Sequence, residues 1–181
     1  MPFEIVQVGD PVLRMTARPL AGEEIAARET RELIEQMREI MRAAPGVGLA
    51  APQIGLPLRI AVIEDRAEYQ KDIAPESLAE RGRRPVEFFA LINPRVVDRS
   101  AEQDAFFEGC LSLAGFSAMV KRSRRVTVGY LDAEGHSQRL EAEGWLARIL
   151  QHEIDHLDGC LYIDRMDSRT FSTIANLTAK R

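Results

Sequence analysis

The segment 145–157, WLARILQHEIDHL, constrains this chain more than any other part of it. It is apolar-rich, follows Gly144 and is closed by Asp158 and Gly159, which predicts a largely buried helix. His152 and His156 stand four residues apart on it, so at 3.6 residues per turn both imidazoles share one face and reach a single metal ion. Glu153 sits between them, and burying its charge costs too much without a partner, which a metal supplies. The chain has only one other histidine, His136. Two histidines in one turn of an apolar helix favour a metal site over the competing reading, hydrogen-bonded core histidines beside a solvated glutamate.

In the HExxH pattern two neutral imidazoles ligate the ion, and the adjacent carboxylate takes a proton from water that the ion has acidified. A catalytic ion also needs a third protein ligand and an open position. The longer HExxHxxGxxH pattern is met as far as Gly159 but ends in Tyr162, and no glutamate follows Glu153. Cys110 and Cys160 remain. Cys110 lies in FFEGCLSL, where a thiolate at a strand end could face the helix and soften the site toward Fe(II), Zn(II) or related ions. Cys160 follows the helix-ending Gly159, so it should have left the histidine face and reads as a small buried hydrophobe. Ligation by both cysteines would make a closed structural zinc module with no use for Glu153.

Around the helix the pattern is α+β, with antiparallel sheets packed around a buried metal-binding helix and one domain over 1–181. Residues 23–44 repeat apolar side chains at three- and four-residue spacing and predict one amphipathic helix, ended by Pro45 and Gly46. GVGLAAPQIGLP (46–57) predicts an irregular loop that another backbone can approach closely. Strands are expected at 59–63, 86–92 and 96–97, with a stop at Asn93-Pro94, and a hairpin at 124–143 around the turn DAEG. The polar stretch 64–85 predicts an exposed insertion. The segment after Gly159 has only patchy periodicity and receives no assignment.

Hydrophobic residues make up 45% of the 181 and charged residues 29%, which excludes disordered and collagen-like classes. The net charge of −4 provides no global field for nucleic acid or an anionic membrane. The cluster KRSRR (121–125) reads as a solvated strand end, with transient contact to ribosomal RNA as the weaker alternative. No apolar run approaches the ~20 residues of a membrane span, and the start MPFEIVQVGD lacks the basic and apolar regions of a signal peptide. The expectation is a cytoplasmic protein, or an organellar one after removal of a transit peptide. A monomer and a homodimer are both compatible with the sequence.

Three segments, GVGLAAPQ (46–53), EGCLS (108–112) and QHEIDHLDG (151–159), resemble in order and spacing the three motifs of peptide deformylases. The resemblance runs from GDPVLR (9–14) to the last helix. The tail GCLYIDRMDSRTF (159–171) and AGF (114–116) are closer to the mitochondrial and plant-organelle type.

The resemblance implies metal ligands at Cys110, His152 and His156 and a general acid/base at Glu153. It implies one divalent ion, Fe(II) natively, with Zn, Ni or Co able to replace it. The implied reaction removes the formyl group from the N-terminal formylmethionine of nascent polypeptides by attack of metal-bound hydroxide, the Gln53 amide and the Leu111 N–H stabilising the oxyanion. For Gln53 a surface-loop role is an equal alternative. Gly46, Gly48 and Gly109 would let an extended peptide approach, and Val47, Trp145 and Ile149 would line a methionine pocket, although core packing explains each of these three as well. Glu108, Gln151 and Asp155 are candidates to orient the ligands. Arg148, where many members carry an apolar residue, and Ala114 depart from the common pattern. An HExxH metallopeptidase is the competing activity, and it differs in cutting unformylated peptide bonds.

Overall fold

The computed structural model describes residues 3–179, and its elements make an α+β fold with antiparallel sheets. The first part of the chain forms α1 (Gly22–Ile25), α2 (Arg28–Ala43), β1 (Gly48–Ala50), β2 (Ile60–Asp65) and α3 (Pro75–Arg81). Then follow β3 (Val86–Arg99), β4 (Gln103–Gly109), β5 (Phe116–Ser123), β6 (Arg125–Leu131) and β7 (Ser137–Glu143). The helix α4 (Gly144–Leu157), β8 (Ser172–Thr173) and α5 (Ile174–Thr178) complete the order.

The five-stranded sheet β1-β2-β3-β6-β7 is covered on both faces, which is why β2 is buried along its whole length. Alternation divides its side chains: Ala61 and Ile63 join the core around α4, whereas Ile60 and Val62 join the core around α2. On α2 the buried residues Thr30, Ile34, Met37 and Met41 follow the four-three-four spacing of one helical face. The sheet β4-β5-β8 is shorter, and Ala118 and Val120 on it pack against Leu13, Leu161 and Tyr162.

At the end of α4, Cys160 N donates to Asp155 O (2.9 Å) and Gly159 N to His156 O (3.2 Å). These two bonds form a Schellman cap, with Gly159 at φ +73°; a Cβ there would lie 2.7 Å from Arg14 O.

Several local expectations need correction. The single helix expected over 23–44 is two, because Ala27 is extended (φ −64°, ψ 149°) and Thr30 Oγ1 donates to Glu24 O at the break. The loop expected at 46–57 contains β1, paired antiparallel to β2 at the edge of the sheet. The break expected at Asn93-Pro94 is a register shift within a continuous β3. There Asn93, at φ 52°, exchanges hydrogen bonds with the backbone of Leu20 (2.8 and 2.9 Å). The hairpin of β4 and β5, which carries Cys110 on its loop, was legible only as strand ends near Cys110 and at 121–125.

The stretch 64–85 is not simply an exposed insertion. α3 buries no residue, but Arg83 forms two bonds to the fully buried Asp65 (2.7 and 2.9 Å) and lies over the Trp145 ring at 5.4 Å.

Candidate metal centre

Two elements bring the site together. The helix α4 presents His152, Glu153 and His156, and the loop after Gly109 at the end of β4 presents Cys110. The ligand atoms of Cys110, His152 and His156 lie within 4.8 Å of one another, and Cys110 Sγ is 3.3 Å from His156 Nε2. Cys160 stands outside this group, turned away by the cap that ends α4. A sulfur and two imidazole nitrogens are a donor set suited to a divalent transition metal. The orientation of His152 fits that use: its Nδ1 meets Glu108 Oε2 at 3.0 Å, which leaves Nε2 for the group.

Glu108 is the hub behind the ligands. Its carboxylate accepts from Arg122 Nε and Nη2 (2.9 Å each), from Arg148 Nη1 (2.6 Å) and from His152. Burial would raise the pKa of Glu108, but the hydrogen bonds from Arg122 and His152 outweigh it and hold the carboxyl well below the usual range. For His152 burial acts to lower the pKa, and the neighbouring Cys110 and Glu108 overcome it and raise it well above 6.5. His156 goes the other way, lowered by burial and by the charge on His152.

Glu153 has the opposite surroundings. It is 4% exposed, and its Oε2 has no hydrogen-bond partner among the described residues. Burial pushes its pKa up to about 7 against the pull of His152 and Arg122. Gly48 makes the space for it, since a Cβ at that position would lie 2.3 Å from Glu153 Oε1. Gly46 likewise leaves room for Leu111, whose Cδ1 would lie 2.8 Å from a Cβ there.

The group opens into a cleft of about 640 Å³. Gly46, Val47, Gly48, Gln53, Gly109, Cys110, Leu111, Trp145, Ile149, His152 and Glu153 all line it, whereas His156 lies buried beneath. Gln53 is no surface-loop residue: it is 2% exposed, because its Oε1 accepts from Ala50 N (2.9 Å) and its Nε2 donates to Ser112 Oγ (3.3 Å). Its amide also approaches Cys110 Sγ at 3.5 Å.

Of the three residues expected to orient ligands, Glu108 alone bonds to one. Gln151 clamps α4 to the end of β5 through the backbone of Ser123 (2.9 and 3.1 Å), and Asp155 holds Arg165 and Arg122. Arg148 is buried, and besides Glu108 it bonds Val120 O and Asp104 O. Sequence reasoning missed Arg122 as a buried partner of Glu108 and took its cluster for a solvated strand end. The strand period could have revealed it, since Arg122 is in phase with the buried Ala118 and Val120. Ser112, Phe107 and Arg83 were missed as well; Phe107 and Arg83 line the cleft, and Ser112 supports Gln53 from outside it.

A sulfur and two imidazoles backed by a buried carboxylate could hold a metal ion, and a second carboxylate is left free beside them at the floor of a cleft. The chain belongs to the polypeptide deformylase family, whose sequence profile matches residues 2–172. It is 48% identical over 174 residues to peptide deformylase 1A, chloroplastic, of Solanum lycopersicum, covering 96% of this chain and 63% of that one. It therefore spans under two thirds of that plant relative's length. The mitochondrial peptide deformylase of Homo sapiens is 40% identical, with 96% of this chain and 72% of that one covered. Among solved structures, the Met-Ala-Ser-bound class I type b peptide deformylase of Acinetobacter baumannii superposes with a TM-score of 0.81 at 28% identity, covering 92% of this chain and 99% of that one. No helix among the described residues is long and apolar enough to cross a membrane.

Proposed function

We propose that this chain is a metal-dependent peptide deformylase that hydrolyses the formyl group from the N-terminal formylmethionine of nascent polypeptides and releases formate. One observation carries the reading: Cys110, His152 and His156 converge beside a buried, unpartnered Glu153 in a cleft bordered by an edge strand. The names of the chloroplast and mitochondrial relatives support it. The three converging residues would hold one divalent ion, Fe(II) natively with Zn, Ni or Co as substitutes, and the ion would acidify water and polarise the formyl oxygen.

The chain's own groups supply the rest. Glu153, with a pKa near neutrality, takes the proton of the attacking water at its free Oε2 and passes it to the leaving amine. The Gln53 amide and the Leu111 N–H bind the developing oxyanion. The outer edge of β1 pairs with the extended peptide, while Gly46, Gly48 and Gly109 allow its backbone close. Val47, Trp145 and Ile149 receive the methionine side chain. One catalytic domain, in the cytoplasm or an organelle, meets its substrate as the chain is synthesised.

The test is an anaerobic assay of formate release from formyl-Met-Ala-type peptides, with metal content measured on the same sample. Formate release with about one ion per chain is the expected result. Cleavage of unformylated peptides without formate would transfer the assignment to a peptidase.

A further inference from the structure

The face of α4 turned away from the ligand group borders a second cavity, of about 290 Å³, lined by Gln151, Ile154, Asp155 and Asp158 of the helix end. Opposite them stand six cations: Arg59, Arg95, Arg99, Lys121, Arg122 and Arg165. Three of these are neutralised. Arg59 pairs with Asp158 (2.7 Å), Arg165 with Asp155 (2.7 Å), and Arg122 with Glu108 and Asp155. Arg95, Arg99 and Lys121 pair with no carboxylate among the described residues, although all three open into the same cavity. The chain as a whole carries −4, so this concentration of positive charge is local.

We propose that this cavity is a phosphoryl-binding site, in which Arg95, Arg99 and Lys121 hold the phosphate oxygens and the paired arginines form its wall. Guanidinium groups match phosphate oxygens in pairs, and an anion relieves the mutual repulsion of three unpaired cations. Arg95 and Arg99 come from β3 and Lys121 from β5, so the strands fix where the three exposed side chains start, and the paired Arg59, Arg122 and Arg165 supply the ordered wall. The volume is near the lower end of small-ligand sites and suits a phosphoryl group with part of the molecule that carries it. That molecule is either a free phosphate compound or the backbone of a nucleic acid. The site also gives a use to Lys121 of the basic run 121–125, in which Arg122 already serves Glu108.

The test uses the metal-loaded protein and the variant Arg95→Ser/Arg99→Ser/Lys121→Ser, whose substitutions remove exposed side chains that pair with no carboxylate. Inorganic phosphate is titrated by calorimetry, and a short labelled single-stranded RNA by fluorescence anisotropy between about 50 and 200 mM salt. Saturable binding that weakens about tenfold or more in the variant, with formate release unchanged, is the expected result. Saturation by phosphate identifies a free phosphate compound as the source. Binding of RNA alone, with a log–log salt slope that falls by about 2 in the variant, identifies backbone phosphates. If neither probe binds, or the variant binds both as well as the parent, the proposal is overturned.

Discussion

Two buried carboxylates flank His152, and their surroundings differ in every respect but burial. Glu108, behind the ligands, receives two guanidinium groups and an imidazole and is held ionised. Glu153, in front, faces the backbone of Gly48 with one oxygen free, and its pKa rises to about 7. Desolvation acts on both, so the hydrogen-bonding partners decide the outcome. A carboxylate that must orient a ligand needs a fixed charge, and one that must move a proton at neutral pH needs a pKa close to it.

The largest effect is expected at the front. Glu153→Gln keeps the shape but removes the group proposed to carry the proton, and turnover is expected to fall by about three orders of magnitude while metal content, measured by elemental analysis, stays unchanged. If the metal is lost as well, Glu153 belongs with Glu108 as a structural group and the contrast collapses.

At the back the same kind of change acts on the fold. Glu108→Ala strands Arg122 and Arg148 in the interior, so urea denaturation should show a loss of about 3–5 kcal/mol, with metal affinity lower by about 10- to 100-fold.

The pH dependence of stability separates the two groups further. The folded-state pKa of Glu153 is raised, so its contribution to stability is fully present below the unfolded value near 4.5 and is lost as pH rises through about 7. In metal-free protein the stability difference between Glu153→Gln and the parent should therefore move in favour of the variant by about 3 kcal/mol between acid pH and pH 8. An equal difference at both pH values would show that Glu153 is solvated.

Gly48→Ala sharpens the contrast by geometry alone. Its Cβ displaces the Glu153 carboxylate, and turnover is expected to fall about 100-fold with metal content retained. The smallest effect belongs to Arg148→Met. Glu108 keeps Arg122 and His152, so the cost read by denaturation is about 1–2 kcal/mol, with a smaller change in metal affinity than for Glu108→Ala.

Legibility in the sequence followed the range of the interactions. α4, the hairpin of β6 and β7 and the end of the helix at Gly159 were readable because their signals lie within one element. The break between α1 and α2 was not, since the contacts that set it, among Arg18, Ala21, Glu24 and Thr30, outweigh a continuous apolar period. Gln53 was ambiguous because its partner Ser112 is distant in sequence. Arg122 was misread by composition, which records a basic run but not that one member points inward.

The sequence by itself determined the parts: a helix with two histidines and a glutamate on one face, a cysteine set apart from it, and glycines where a backbone must come close. Those properties follow from helical period and from residue chemistry. Only the tertiary structure decided that Arg122 is buried against Glu108, and that Glu108 is ionised while Glu153 is near neutral. Each depends on which distant groups share a buried volume, and desolvation and charge pairing are properties of that volume, not of any residue in it.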